Sequence, residues 1–331
     1  MRGYALRAAE LAGAAAGLTT SVVLLIAGCA LLGVAAAGGG GAVVVIVIAV
    51  VLIAVVYTYC DRLALSAMLA RPVSEVEHPE LYRLVRELSK AGRLPVPRLY
   101  VSPAEQPNAF AVGRGPRTAS VCCTEGLLRL LDEAELRGVL GHELAHVSDR
   151  DILASSVSAG LATVITFPTG LARFGRPGSA GPGSAGPGSA GPGSAGPGSA
   201  SGSMGGEGVP AAFGARTGAS GLGLLETLLM MALGPIAAFV VRLTVPQERE
   251  YRADAAGALL SGDPVALASA LRKIDAGSAE LALAPDGRRI SVGHLMIACP
   301  FRLEGFARLF LTHPPAGERI RRLEALAGYR R

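Results

Sequence analysis

DEAELRGVLGHELAHVSD, residues 132–149, is the stretch on which the fold turns. Asp132 with Glu135 three residues later has the form of a capping box, in which each side chain bonds the other's backbone N–H at a helix start. Behind it Leu136, Val139, Leu140, Leu144 and Val147 form an apolar face at helical spacing, which predicts a helix from Asp132 to about Asp149. Inside that helix residues 142–146 read HELAH. Positions i and i+4 share a helix face, so His142 and His146 present two imidazoles to one ion while Glu143 stands beside it. Imidazole nitrogens in a tetrahedral set suit zinc, and a catalytic zinc takes three protein ligands and leaves the fourth position to water. With only 5 histidines in 331 residues, a chance match is on the order of one per cent or less, so the pattern carries weight.

Upstream, Leu81, Leu84, Val85 and Leu88 predict an amphipathic surface helix over Pro79 to Arg93. Three β-rich runs follow, Arg98 to Ser102, Ala109 to Val112 and Ala119 to Cys123, separated by Pro, Asn and Gly turn signals, which predicts a small sheet.

The composition is that of a membrane protein: 50% hydrophobic, 17% charged and no Trp. No formal charge occurs from Leu11 to Cys60, enough for two passes at about 20 apolar residues each, with Gly38 to Gly41 as the hinge. Arg2 and Arg7 precede the first span, and Arg62 and Arg71 follow the second. The positive-inside rule therefore puts both ends in the cytoplasm. The net charge of +5, carried mostly by arginine near hydrophobic segments, is read as topology and not as nucleic-acid binding. Ile26-Ala27-Gly28-Cys29 resembles a lipobox, but the residues after Cys29 stay apolar where a mature lipoprotein would turn polar. Cys29, Cys60, Cys122, Cys123 and Cys299 are odd in number and hold no CxxC pair, so small buried thiols are expected, not a disulfide framework.

Ile152 to Ala172 is a third uncharged stretch, weakened as a span by Ser155, Ser156, Ser158, Thr163, Thr166 and Pro168; a helix hairpin in a groove is the alternative. Arg176 to Ala200 repeats a five-residue unit ending in PGSA, a composition that builds no core and is expected to serve as a tether. Gly221 to Val245 is the fourth hydrophobic segment, with Glu226 near its start, close enough to the end to reach headgroups, and Pro235 inside it. From Pro246 onward the chain reads as soluble, helical and arginine-rich, and on its own Glu248 to Asp254 reads as a solvated charged helix.

Four blocks, NAFAVG at 108–113, TEGLLRLLDEAELRGVLGHELAHVSDRD at 124–151, EREYRAD at 248–254 and THPPAGERIRRL at 312–323, resemble in order and spacing the M48 membrane metalloproteases of HtpX type. The resemblance implies a third ligand, a glutamate in an ExxxD pattern, which falls on Glu250 with Asp254 four residues later. Asp254 would then orient a ligating imidazole from behind. Glu248 is the rival ligand, on roughly the opposite side of the same helix and without an acidic partner four residues on. The resemblance also places His313 and Arg319 at the site, near the oxyanion; His313-Pro314-Pro315 is equally read as a turn followed by a basic helix. Asn108, Ala109, Phe110 and Ala111 correspond to an edge strand to which an extended substrate adds, although Asn108 is equally read as a turn residue. The PGSA tract departs from the family pattern.

These readings converge on a mainly α integral membrane protein: an HExxH zincin-type catalytic domain with a small β-sheet and up to four hydrophobic membrane segments. Residues 1–60 hold two transmembrane helices, 61–150 the first catalytic part, 151–174 the third segment, 175–219 the linker, 220–245 the fourth segment and 246–331 the second catalytic part. The implied activity is that of a zinc endopeptidase with one Zn2+ per chain and Glu143 as general base. It is expected in a prokaryotic cell membrane with its site facing the cytoplasm, in quality control of misfolded membrane proteins or unfolded polypeptides, with the lipid bilayer as partner and no nucleic acid. A CAAX prenyl-protein protease is the alternative within the class. A membrane scaffold with a structural zinc is the alternative outside it, and Glu143 argues against that because a structural site needs no base.

Overall fold

The computed structural model describes residues 34, 40–41, 43–44, 46–174, 239, 241, 247–283, 287–301 and 314–328, of which 166–174 and 287–288 are described by backbone alone. Both terminal segments, the PGSA tract, His313 and nearly all of the first and fourth hydrophobic segments lie outside these residues.

Helix α1, Ile46–Ala67, is the one described helix long and apolar enough to cross a membrane. It runs about two turns past the expected end at Cys60, and Gly40 and Gly41, expected in the hinge, are helical. Val47, Ile48, Val50, Val51, Leu52 and Val55 face outward, while Val56 and Cys60 pack against Val157 and Leu161. Near its end the buried Asp61 meets Arg98 at 3.4 Å.

The sheet has the order β1 (Arg71–Pro72), β2 (Arg98–Ser102), β4 (Ser120–Thr124), β3 (Ala109–Val112). The central pair β2–β4 is parallel, and both outer strands run antiparallel to their neighbours. Strands β2 and β3 have their expected bounds, and β4 begins one residue later. The two-residue β1 has no hydrophobic pattern to announce it. Helix α2, Pro79–Ala91, buries Leu81, Leu84, Val85 and Leu88 as the periodicity requires. Helix α3, Glu125–Leu130, is capped by the Thr124 hydroxyl, which accepts from Leu127 N.

Helix α4, Glu133–Asp149, is the axis of the domain, and the Asp132–Glu135 capping box forms in both directions. Glu135 does more than cap: its buried carboxylate also binds Lys273 Nζ at 2.6 Å and accepts from Ser269 Oγ at 2.7 Å. Those residues lie on α7, Pro264–Glu280, which follows α6, Glu248–Ser261. Helices α6 and α7 both pack on α4, and α9, Ala316–Gly328, packs on α7 after the short α8, Gly287–Val292. One core joins Leu140 and Leu144 of α4 to Val101 and Val121 of the sheet and to Leu267 and Leu271 of α7.

Helix α5, Ile152–Phe174, is not lipid-facing along its first turns: residues 154–162 are buried in the catalytic domain and against α1. Its serines, which set it apart from the other apolar segments, have protein partners. Ser156 Oγ accepts from Gly113 N at 3.0 Å, Ser158 Oγ lies 3.2 Å from His294 Nε2, and Ser155 Oγ accepts from Arg249 at 2.8 Å. Cys60, Cys122, Cys123 and Cys299 are free thiols, and burial pushes the Cys123 thiol up to about 12.

Candidate metal centre

His142 and His146 lie one turn apart on α4, and their rings stand edge to face at 88° with centroids 4.7 Å apart. The two Nε2 atoms point at each other at 3.2 Å. Glu250, in the first turn of α6, completes the cluster: its Oε1 is 3.5 Å from His146 Nε2 and its Oε2 3.7 Å from His142 Nε2. Glu248 is exposed and turned away, while Glu250 is 4% exposed, so the choice between the two carboxylates is made by helix rotation.

Helices α4 and α6 bring these groups together by crossing at Gly141 and Gly257. A Cβ on Gly257 would sit 2.6 Å from His142 N, and one on Gly141 would sit 2.9 Å from Gly257 O. Neither glycine is part of the HExxH or ExxxD pattern, and nothing in a single sequence marks the crossing.

The donor set fits zinc. Bonds of about 2.0–2.2 Å at tetrahedral angles place donor atoms roughly 3.3–3.6 Å apart, and the separations here are 3.2, 3.5 and 3.7 Å. Each ring also has a carboxylate on its far nitrogen. His142 Nδ1 lies 3.0 Å from Asp254 Oδ1, and His146 Nδ1 lies 3.1 Å from Asp151 Oδ2. A carboxylate there favours the tautomer with the proton on Nδ1 and leaves Nε2 for a metal. Asp254 thus sits where the ExxxD pattern puts it, whereas nothing in the sequence marks Asp151. No spacing rule finds it, because it reaches His146 only through Arg150, whose left-handed backbone (φ 59°, ψ 17°) ends α4 and turns the chain back.

Both supporting carboxylates are bound by buried arginines. Arg319 of α9 donates to Asp254 from Nε at 2.8 Å and from Nη2 at 2.7 Å, and to the carbonyl of Ile297 from Nη1 at 2.7 Å. The resemblance put Arg319 near the oxyanion. In the structure its guanidinium is committed to Asp254 and Ile297, 3.7 Å from Glu250. Arg249 of α6 donates to Asp151 Oδ2 at 2.8 Å.

Electrostatics follow from burial and these partners. Burial pushes the Glu143 carboxyl up to about 8, with Glu250 and Asp151 adding to the rise and His146 and Arg319 opposing it. Burial also holds His142 below the ordinary imidazole value, outweighing Asp254. At His146 burial acts downward, but Asp151, Glu250 and Glu143 together outweigh it and raise the ring to about 9. Asp254 is drawn down to about 2, because Arg319 and His142 overcome its desolvation.

A narrow polar pocket opens onto Glu143, His146 and Glu250, walled by Ala111, Ser155 and His294. His294 carries no sequence signal of its own; it lies in a 3-10 turn, Gly293–Leu295, that only the tertiary fold brings to the site. The outer edge of β3 is partly taken by the chain itself: Ile297 N donates to Ala109 O at 3.0 Å, and Asn108 Nδ2 donates to Ala298 O at 2.9 Å. Phe110 faces the core, beside Cys122, Val292 and Met296. Ala111, two residues beyond Ala109, turns its N–H and C=O to the same outer edge, at the pocket wall.

Two imidazoles from one helix turn and a carboxylate from a second helix, with a further buried carboxyl beside them, make a metallopeptidase centre of the HExxH class. The family model described as "Peptidase family M48" matches residues 75–327, and the chain belongs to that family. Among curated relatives, a "Protease HtpX homolog" of Kineococcus radiotolerans is 50% identical over 282 residues, 85% of each chain. Proteins of the same name from Paenarthrobacter aurescens and Bifidobacterium longum are 46% and 44% identical over 272 residues. That is 82% of this chain, and 81% and 78% of theirs.

Proposed function

We propose that the protein is a membrane-held zinc endopeptidase that cleaves misfolded membrane proteins or other unfolded polypeptides on the cytoplasmic side. The observation that carries the zinc assignment is the set of donor separations among His142, His146 and Glu250, which matches a tetrahedral site. The outward apolar face of α1 supports attachment to a bilayer.

His142, His146 and Glu250 would hold one Zn2+, which when bound supplies Lewis-acid chemistry, acidifying a water and polarising the scissile carbonyl. Glu143, buried on the same helix and facing the pocket, takes the proton of the attacking water and returns it to the leaving nitrogen. Asp254 and Asp151 hold the two rings so that their Nε2 atoms converge. Ala111 offers one outward-facing backbone pair to an extended peptide, a contact indifferent to side-chain identity that suits unfolded substrates. His313 is assigned to the oxyanion on the family pattern alone.

The test uses the purified full-length chain in detergent with an unfolded membrane protein as substrate. Cleavage should stop when the metal is removed by chelator and return when one equivalent of zinc is restored. Cleavage that survives complete metal removal contradicts the assignment.

A further inference from the structure

The two imidazoles are supported in parallel ways, and only one of the two supports follows from the ExxxD pattern. Behind His142 stand Asp254 and Arg319. Behind His146 stand Asp151 and Arg249. We propose that Arg249 is a positioning residue for the metal centre, fixing the Asp151 carboxylate so that it holds the His146 ring in its ligating orientation. This rests on the zinc assignment above and extends it to a residue next to a ligand but not itself a ligand.

The geometry is that of a short chain of contacts. The oxygen that faces His146 Nδ1 at 3.1 Å, Asp151 Oδ2, is also the one that accepts from Arg249 Nε at 2.8 Å. A second arm, Arg249 Nη2, donates to the Asp151 main-chain carbonyl at 3.2 Å and to Ser155 Oγ at 2.8 Å. Arg249 therefore grips both ends of the aspartate and the first turn of α5. Arg249 and Asp151 are 5% and 6% exposed, so little water competes for these bonds.

The arrangement also explains why an arginine stands immediately before Glu250. Neighbouring positions on a helix lie about 100° apart, so Glu250 faces both imidazoles while Arg249 reaches around to the end of α4. Helix α6 thus supplies one ligand to the metal and one clamp to the loop that orients another. Asp151 follows a left-handed residue at the end of α4, and although its main-chain carbonyl accepts from Ser155 N at the start of α5, backbone bonding does not orient its carboxylate, which Arg249 does. Asp254, by contrast, is held within α6 itself.

The experiment compares the full-length protein in detergent with Arg249→Met, Arg249→Lys, Asp151→Asn and the double variant Arg249→Met/Asp151→Asn. Three quantities are read: zinc affinity by competition with a chromophoric chelator, the visible spectrum of the cobalt-substituted protein, and the thermal midpoint. Arg249→Met should weaken zinc binding about tenfold to a hundredfold, the scale for losing an outer partner of a ligating histidine, and should alter the cobalt bands. Arg249→Lys, which keeps the charge but not the two-armed grip, should fall between it and wild type. The double variant should bind zinc no more weakly than the weaker single variant, because both changes break one chain of contacts.

Folded Arg249→Met with wild-type zinc affinity and wild-type cobalt bands overturns the proposal. If Arg249→Met does not fold, Arg249→Lys and Asp151→Asn decide: unchanged affinity and bands in both overturn it, and weakening in both supports it. A purely structural role would move the thermal midpoint and leave the cobalt bands of the folded fraction unchanged, which also overturns it. Wild-type protein that takes up neither zinc nor cobalt overturns the zinc assignment together with this one, whereas metal-replete wild type with unaffected variants overturns this one alone.

Discussion

Replacing Gly257 by alanine should loosen the metal centre without replacing any residue that binds the metal. The added Cβ would lie 2.6 Å from His142 N, 2.7 Å from His142 Cα and 3.0 Å from Gly141 C. Carbon contacts are comfortable at about 3.5–4.0 Å, so the helices must part by roughly 0.8 Å or more. All three neighbours are backbone atoms of α4, and no flexible side chain can move aside to relieve the clash. Overpacking of this kind costs about 1–3 kcal/mol, and each kcal/mol lowers the thermal midpoint by about 2–4 °C in a chain of this size. The larger consequence is for the metal. Glu250 rides on α6 and both histidines on α4, whereas a metal site tolerates about ±0.2 Å in its ligand distances. Zinc affinity should therefore fall by at least about tenfold, comparable to losing an outer partner of a ligating histidine. The assay is chelator competition for zinc beside thermal unfolding in the same detergent, with Gly317→Ala as control because its Cβ meets open space. Gly257→Ala with wild-type midpoint and wild-type zinc affinity would refute the claim that this crossing sets the ligand distances.

Asp254→Asn should weaken zinc binding about tenfold to a hundredfold while the chain stays folded, and unchanged zinc retention during dialysis against chelator would count against its hold on His142. Arg319→Met leaves the buried Asp254 carboxylate without its cation and should destabilise by about 3–5 kcal/mol, read from denaturant unfolding; a loss under 1 kcal/mol would show that solvent replaces the pair. In the metal-free protein His146 is raised to about 9, so at neutral pH its ring carries a proton that must leave before zinc binds. Apparent zinc affinity should then rise about tenfold per pH unit from pH 7 toward 9 and flatten above. Calorimetric titrations in buffers of different ionisation heat should detect the released proton, and zero release at pH 7 would contradict the assignment.

Helical periodicity made the core of the site legible. A capping box and an apolar stripe fix the α4 register, and the register alone puts His142 and His146 on one face. Glu250 was legible only through the family pattern, because Glu248 is just as acidic and only helix rotation separates them. Asp151 and Arg249 were not legible as a pair: one depends on a left-handed residue at Arg150, the other on how α6 crosses α4, and neither leaves a repeat in the sequence. The serines of α5 were legible as an anomaly in an apolar segment, but their reason, bonds to Arg249, Gly113 and His294, is tertiary. The same holds for the β3 edge, where nothing local shows that Ile297 already binds Ala109.

The central claim is that Glu143 moves protons at a site whose metal is held by other groups. The most direct test is Glu143→Gln, a substitution that keeps the shape of a buried side chain lining the pocket. Zinc per chain and cleavage of an unfolded membrane protein are measured side by side with wild type. The account predicts wild-type zinc content with cleavage lowered by a factor of about 10² to 10⁴ or more. Cleavage at the wild-type rate would contradict the mechanism and leave a structural zinc site as the better reading.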